Sequence, residues 1–399
     1  MILEWDRLKL RNSLYLNIIL LKLGGCWWPE TENRTTQKLY TCYSVLFLLS
    51  TLVLYSISEI IYIFHVLDDL EELTSCLFLF FTHAVQMIKI RVFLIQQKDI
   101  KKFLNEMDDE LFMPRYHEQQ ELMKTSIKRY KIVYAIFQFT GIATCVLWAV
   151  LPFLERKQGE NISLPLRGWY PFDVDRYPTL QIILCFQIIL VTISAILNIN
   201  IDATVASFMR FFCNQFDLLN DSLEHIKRRC ENDNDHDKNL QTKMDLELER
   251  IVRHHLLILS MIQKFFNLFS VVVFVQVGIT VLTMCMSMFK STSVQIGGIQ
   301  FMSMIMYQLC ILIQAFLYCW YGNEIMLKSG LIPLSAFKSD WTDCSQQFKK
   351  NLLFVMMRTR VPVKLYAAGL VTLSVENFTS ILRTSYSCFA VLHRVQENN

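Results

Sequence analysis

The chain of 399 residues is 53% hydrophobic and only 19% charged, and it contains few glycines, 11 in all. Soluble domains carry roughly 25% charged residues, so this composition, with a mean hydropathy of +0.31, indicates a membrane protein. The net charge of +3 gives no reason to expect a nucleic-acid partner, and the 12 cysteines form no CxxC pair, so we expect neither a disulfide framework nor a metal or other cofactor.

The N-terminal region contains one short apolar run, residues 14–23, followed by Gly-Gly-Cys-Trp-Trp-Pro. No small-residue cleavage site follows it, so we do not expect a secretory signal peptide. The run is shorter than a membrane span, and its tryptophan pair is typical of the lipid headgroup level. We therefore predict a segment that lies in the membrane interface and contacts lipid.

Seven longer apolar runs predict an all-α protein with seven membrane-spanning helices. The predicted spans are 39–64, 73–95, 132–154, 179–208, 256–289, 299–321 and 366–395. The fourth and fifth exceed the thickness of the hydrocarbon core, so we expect them to tilt or to project beyond it. Charged and apolar residues alternate at helical spacing in the connections 98–107, 118–130, 218–229 and 240–253, which predicts that the spans continue there as amphipathic helices.

Lysine and arginine are distributed unevenly between the two sides. The N-terminus and residues 96–131, 209–255 and 322–364 hold roughly thirty of the 39 basic residues, whereas the turn 65–72 holds none. The positive-inside rule then predicts an inverted topology, with a cytoplasmic N-terminus and an extracellular C-terminus. Asn161, in an Asn-Ile-Ser acceptor sequence, falls in an outside connection and is a candidate glycosylation site.

The polar run 230–237 is best explained as a flexible loop. A metal site on His236 and its neighbouring acids is the alternative, although the run lacks rigid ligand spacing.

The final run carries ionisable residues at membrane depth, where they normally face protein or water. At about 100° per residue, seven residues, six of them polar, fall on one side of the predicted helix. The members are Thr372, Glu376, Thr379, Arg383, Ser387, Ala390 and Arg394. A polar stripe along a whole span indicates the wall of a water-filled path. The alternative is that these charges are paired inside a static bundle.

Separated motifs near the C-terminus resemble those of insect odorant receptors. They are FLYCWYGNE at 316–324, SDW at 339–341, MMRT at 356–359 before Pro362, and TSYSCF at 384–389. The motifs occur in the family's order and spacing. The length, the seven spans and the inverted topology also fit.

The resemblance implies one subunit of a tetrameric, ligand-gated, non-selective cation channel in the plasma membrane of olfactory sensory neuron dendrites. Residues 1–322 would form six spans with the odorant pocket in their outer half, 323–365 a cytoplasmic anchor domain, and 366–399 the pore-lining helix and extracellular C-terminus. The second cytoplasmic loop is short for the family's co-receptor, Orco, so this chain resembles an odour-specific subunit that pairs with it.

The resemblance also implies roles for residues of the last helix. Val391 and Val395 match the hydrophobic gate, and Arg394 matches a narrow outer filter that is often neutral in the family. Four copies each of Arg383 and Arg394 around one axis would place a strong positive field in a cation path. We therefore expect the chain alone to conduct poorly.

The family's odorant pocket lies between spans two, three, four and six. The matching level offers apolar and aromatic walls with a few hydroxyls, suited to a small volatile molecule. The candidates are Leu77, Phe80, Phe81, Gly141, Thr144, Trp148, Ile183, Gln187, Ser303, Met306 and Tyr307. Ordinary helix packing is the alternative role for each of them.

Other seven-span and membrane proteins are weaker matches. A G-protein-coupled receptor would carry an Asp-Arg-Tyr and an Asn-Pro-x-x-Tyr sequence, and neither is found at the expected span. A gustatory receptor channel shares the fold, and only the C-terminal motifs favour the odorant branch. HExxH, GxSxG and P-loop motifs are missing, which argues against an enzyme or a transporter.

Overall fold

Long apolar runs broken by few glycines or prolines give this chain long helices. The computed structural model describes residues 14–28, 33–154, 164–174, 176, 178–232 and 239–398. Asn161 and His236, the candidate glycosylation site and the possible metal ligand, lie outside the described residues.

The elements are numbered here in chain order. The helices are α1 (Tyr15–Leu23), α2 (Arg34–Leu48), α3 (Leu54–His65), α4 (Leu70–Ile95), α5 (Gln97–Glu106), α6 (His117–Leu154), α7 (Thr179–Glu224), α8 (Ile226–Glu231), α9 (Leu240–Thr292), α10 (Ile299–Gly330), α11 (Ile332–Phe337), α12 (Gln346–Arg358) and α13 (Val375–Asn398). A π-helical turn, Leu49–Val53, joins α2 to α3, and 3₁₀ turns span Glu110–Phe112 and Trp341–Asp343. Two short strands, β1 (Tyr366–Ala367) and β2 (Val371–Thr372), precede α13.

Most of the length of the predicted spans lies in these helices. In the described part of the chain, α4, α6, α7, α9 and α10 are each long and apolar enough to cross a membrane. The first predicted span is formed by α2, the π-helical turn and α3, and the seventh by α13. The predicted all-α, seven-span architecture is therefore confirmed.

Several helices continue well past the apolar zone, as the charge pattern predicts. The 53 residues of α9 would extend roughly 80 Å at 1.5 Å per residue, whereas a hydrocarbon core is about 30 Å thick. The surplus of α6, α7, α9 and α10 gathers with α5, α8, α11 and α12 at one end of the bundle, called here the basic end. Phenylalanine rings fill its core, and Phe103, Phe212 and Phe265 pack together there with centroids 5.8–6.5 Å apart.

A buried ion pair ties three spans together in the middle of the bundle. The Lys89 ammonium of α4 lies 2.7 Å from the Asp202 carboxylate of α7, with both side chains essentially inaccessible. Tyr318 of α10 donates a 2.7 Å hydrogen bond to the same carboxylate, and Gln314 also donates to it. Lys89 donates a further bond to Asn198. Because a lone charge at this depth is costly, these partners fix α4, α7 and α10 in one register.

The start of the seventh span differs from its prediction. Residues 366–372 form an antiparallel hairpin in which Tyr366 pairs with Thr372. Its turn places Ala368 and Gly369 at φ values of 49° and 71°, which a helix does not allow. The helix begins at Val375, and the Ser374 hydroxyl accepts the Asn377 amide at 3.2 Å as a cap. The predicted start at residue 366 is therefore wrong, and Thr372 lies in β2 outside the helical stripe.

Gly322 on α10 allows the exit of this hairpin to pack closely. A Cβ at residue 322 would lie 2.4 Å from the Leu373 Cβ and 2.5 Å from the Leu373 carbonyl oxygen. Backbone at that distance cannot give way, so glycine is required where α10 meets the segment that leads into α13.

Removing the charge of Lys89 tests the ion pair. We expect Lys89→Met to lower the free energy of unfolding by about 3 kcal/mol, because Asp202 is left charged and buried without its cation. Adding Asp202→Asn should recover part of the loss. Thermal melting of the detergent-solubilised protein measures both.

The control is Lys124→Gln, which breaks the exposed pair of Lys124 with Glu121 at 2.9 Å. Exposed ion pairs contribute little to stability, so this variant should melt at the same temperature as the parent. If Lys89→Met also melted with the parent, the ion pair would not be holding the three spans.

Candidate functional site

Three aromatic rings meet in the half of the bundle away from the basic end. Phe78 of α4, Trp148 of α6 and Tyr307 of α10 are all buried. The Phe78 centroid lies 5.2 Å from that of Tyr307 and 6.4 Å from that of Trp148, and the Trp148 and Tyr307 centroids are 5.6 Å apart. Edge-to-face and tilted geometries at these distances are favourable for aromatic pairs. Three spans thus converge on one apolar cluster.

The Tyr307 hydroxyl is a polar group within this cluster. The Tyr307 hydroxyl lies 2.7 Å from the Thr82 hydroxyl oxygen and 3.2 Å from the Phe78 carbonyl oxygen, to which it donates. A buried hydroxyl needs such partners. The pair offers a hydrogen-bonding point among apolar walls, the usual composition of a small-molecule site.

The predicted residues on α4 are less buried than their neighbour Phe78. Leu77, Phe80 and Phe81 are only partly buried, and the rings of Phe80 and Phe81 pack on each other at 6.0 Å. Phe78, which is not among the predicted residues, points into the cluster with Trp148. A run of phenylalanine and leucine around a whole helical turn gives no signal for which of them faces inward.

The predicted residues on α6 divide between two roles. Gly141 packs against α7, because a Cβ there would lie 2.3 Å from the Ile199 Cδ1 atom. The Thr144 hydroxyl donates to the Thr140 carbonyl one turn earlier at 2.8 Å. Trp148 alone of the three joins the aromatic cluster. The first two therefore set helix packing in this structure.

The three predicted residues on α10 have different environments. Ser303 is buried and donates its hydroxyl to the Gln300 carbonyl at 2.7 Å. Met306 is partly buried, whereas its neighbour Met304 belongs to the cluster. The structure thus brings Tyr307 together with Trp148, whereas Ser303 bonds within its own helix.

On α7, Ile183 is buried. Gln187 bonds to the segment 164–170, called here the cover because its Leu166 packs on the aromatic cluster. The Gln187 amide donates to the Leu166 carbonyl at 3.0 Å and to the Tyr170 hydroxyl at 2.7 Å, and it accepts from the Leu166 amide at 3.1 Å. Leu166 is buried within the aromatic cluster. Gln187 is therefore occupied by the segment 164–170, and a ligand would meet Leu166.

Helix α3 holds the same segment from the other side. The Tyr55 hydroxyl donates to the Arg167 carbonyl at 3.2 Å, and the Ser58 hydroxyl donates to the Trp169 carbonyl at 2.6 Å. The Trp169 amide returns a bond to the Ser58 carbonyl at 3.2 Å. Backbone bonds to two helices keep the cover closed over the cluster.

The last helix has one face packed and one face exposed. Ile381 and Ser385 are buried, and the Phe378 ring lies 5.4 Å from that of Phe316 on α10. The predicted stripe and gate residues lie on the exposed face of the single chain: Glu376, Arg383, Ser387, Val391, Arg394 and Val395. The structure thus keeps these side chains on one surface, and the charges on it are not buried in the bundle.

The basic end carries a second exposed surface, and it is apolar. Helix α12 buries Phe348 and Leu352 and exposes Phe354 and Met357, with Met357 75% accessible. Apolar side chains exposed side by side on a helix are typical of a surface that another chain covers.

Known proteins with the same architecture are odorant receptors. The family model described as "7tm Odorant receptor" matches residues 69–386. The chain is 22% identical to odorant receptor Or1 of Anopheles gambiae over 98% of both chains. The solved structure of the insect olfactory receptor OR5 from Machilis hrabei in complex with eugenol superposes with a TM-score of 0.82 at 16% identity, over 98% of this chain and 100% of that one.

The odorant receptor co-receptor of Ooceraea biroi is 22% identical over 95% of this chain and 97% of that one. Its alignment needs 473 positions, so the co-receptor carries inserted residues that this chain lacks. The family match favours the odorant receptor over the gustatory, G-protein-coupled and enzyme alternatives.

Cysteine substitutions on the last helix test whether its exposed face meets water. In a Cys388→Ser background, we expect Glu376→Cys, Arg383→Cys and Ser387→Cys to react with a charged, membrane-impermeant thiol reagent. Ser385→Cys, on the buried face, should react at least about tenfold more slowly, since the reactive thiolate does not form away from water.

The labelling is measured on intact membranes. A stripe that faces lipid or neighbouring protein would leave all four cysteines equally unreactive.

Proposed function

Because this chain belongs to the 7tm odorant receptor family of insects, as a tuning receptor rather than as the co-receptor, we propose that it is the odour-binding subunit of a ligand-gated, non-selective cation channel. The family is one of receptors, not of enzymes, and the chain is a membrane protein. The observation that carries the channel proposal is the exposed polar stripe of α13, whose opposite face packs on α9 and α10.

The orientation follows from the charge distribution. The basic end and the N-terminus lie in the cytosol, and the segment 164–174 and the C-terminus lie outside. The protein works in the plasma membrane, in the dendrite of an olfactory sensory neuron. Asn161 would then face the compartment where glycosylation occurs.

The ligand is a small, mostly apolar volatile molecule. Its site centres on Trp148 and Tyr307, with Phe78 and the remaining predicted residues around them. Dispersion against three aromatic rings would supply most of the affinity, and the Tyr307 and Thr82 hydroxyls one or two hydrogen bonds. The structural neighbour was solved with a bound small molecule, eugenol, which supports a ligand of this size.

Ligand binding opens the pore through α10. A ligand shifts gating only by the difference in its affinity for the closed and open states. Tyr307 in the cluster and Phe316, which packs on Phe378 of α13, both lie on α10. A ligand that moves α10 therefore moves α13 and draws Val391 and Val395 away from the axis, so that a dry constriction fills with water.

The channel is a heterotetramer with the co-receptor. The apolar surface of α12 at the basic end is the contact between subunits, as expected for an anchor domain. Arg383 and Arg394 face the axis, and four copies of each would oppose cation entry. One such subunit among co-receptor chains would oppose it far less.

Expression with and without the co-receptor tests the proposal. We expect odorant-evoked cation current in cells that express both chains and little current in cells that express this chain alone, because the positive field repels cations. Whole-cell recording against a panel of volatiles measures it, with the co-receptor alone as control. A large odorant-evoked current from this chain alone would contradict the role given to the two arginines.

Shortening Trp148 tests the ligand site. We expect Trp148→Ala to raise the half-maximal odorant concentration by about tenfold, equivalent to about 1.4 kcal/mol, since an aromatic wall of the cluster is lost. Phe139→Ala, on the same helix but 68% exposed, is the matched control and should respond like the parent. Equal responses from both variants at normal surface expression would place the ligand elsewhere.

A further inference from the structure

A large cleft at the basic end belongs to neither the candidate ligand site nor the candidate pore. Its volume is about 1040 Å³, which is at the upper end of the range for small-molecule sites. The start of α6, the helix α8 and the start of α9 form its walls. Three separate elements thus converge on a space with no assigned occupant.

The walls of the cleft are strongly basic. Among the residues that the structure describes, five basic side chains line it against two carboxylates, Glu118 and Glu247; the basic ones are Arg115, Arg228, Arg229, Lys243 and Arg250. Asp221 also pairs with Arg229 at 2.7 Å, so an excess of two positive charges remains in one concave surface, and it raises the local concentration of anions.

The arginines are held in place before any ligand arrives. Arg115 donates two bonds to Glu247 at 2.7 and 2.9 Å, and Arg228 and Arg229 share Glu118 at 3.2 Å each. A guanidinium carries five N–H donors, so an arginine can bind a second anion without leaving its carboxylate. Ordering these side chains in advance lowers the cost of binding.

Tyr116 and Arg250 complete the wall. The Arg229 guanidinium stacks on the Tyr116 ring at 3.8 Å. Burial, and then the neighbouring charge of Arg115, lower the pKa of the Arg250 guanidinium. A bound anion would relieve that repulsion between arginines of α9 and the start of α6.

The distance from the membrane decides between a lipid headgroup and a soluble anion. His117 in the cleft wall lies 15 residues before the apolar stretch of α6, which is roughly 22 Å along a helix. The headgroup layer extends only about 7 Å from the hydrocarbon. A phosphate still attached to a lipid would not reach the cleft.

We propose that this cleft binds a soluble anion with clustered phosphate groups, of the inositol polyphosphate or nucleoside triphosphate type, and that the anion clamps α6, α8 and α9 together at the basic end. The inference does not rest on the proposed function, because it uses none of the residues assigned to the odorant or to the pore.

Calorimetry on the purified full-length chain in detergent, with inositol hexakisphosphate as the probe, tests the cleft. We expect saturable binding to one site that weakens as salt rises. Arg250→Gln should weaken it by about tenfold, the usual effect of losing one charged hydrogen bond. Arg253→Gln is the matched control: it removes the same charge from the same helix at a residue that pairs with Glu249 and does not line the cleft.

A variant that is expected to bind more tightly is the control for misfolding, since a misfolded protein would bind more weakly. Glu118→Gln removes one negative charge from the cleft wall, while the glutamine amide oxygen can still accept from Arg228 and Arg229 and keep them ordered. This variant should therefore bind the probe more tightly than the parent. Vesicles with and without phosphatidylinositol bisphosphate distinguish the source of the phosphates.

Binding to the vesicles but not to the soluble probe would overturn the assignment to a soluble anion. No saturable binding by the parent, equal losses in Arg250→Gln and Arg253→Gln, or weaker binding by Glu118→Gln would each overturn the site itself.

Discussion

A charge inside the hydrocarbon zone must meet an opposite charge, a hydrogen-bonding group or water, and this requirement organises the bundle. Lys89 and Asp202 satisfy each other at 2.7 Å, with Tyr318 and Gln314 supplying the remaining bonds. Between α4 and α3, the His83 Nδ1 atom lies at hydrogen-bond distance, 3.0 Å, from a Glu59 carboxylate oxygen. These contacts cross from helix to helix, so meeting the requirement also fixes which helices are neighbours.

The last helix meets the same requirement in another way. Glu376 and Arg383 stay on an exposed face, while Ile381 and Ser385 pack against the bundle. A single chain therefore leaves part of its charge to be satisfied by water or by further subunits. The contrast between Lys89, paired within the chain, and Arg383, exposed on it, separates residues that build the fold from residues proposed to serve conduction.

Much of the fold follows from residue periodicity, because burial in lipid and burial in protein both demand apolar runs of span length. The seven spans and the continuation of α6, α7 and α9 past the membrane were predictable for that reason. The hairpin before α13 was not, since residues 366–373 are as apolar as a helix and only Gly369 marks the turn. Composition alone does not reveal a positive φ.

The candidate site was less predictable than the fold. Trp148 and Tyr307 come together as expected of one site, but choosing Phe78 over Phe80 and Phe81 requires the rotation of α4, which its uniformly apolar sequence does not encode. Gln187 was expected at the ligand, and it binds Leu166 and Tyr170 instead. An amide side chain in an apolar span indicates that it has a hydrogen-bond partner. Only the folded structure identifies that partner as a loop 17 to 21 residues away.

The uninterrupted length of α9 has a consequence for how such chains can diversify. Every residue inserted into a helix turns all that follows by about 100° and advances it by 1.5 Å. An insertion between Lys243, in the basic cleft, and Phe269, in the packed core, would swing one of them off its contacts. We therefore expect changes in chain length to fall in the connections between helices, while the long helices keep a fixed residue count.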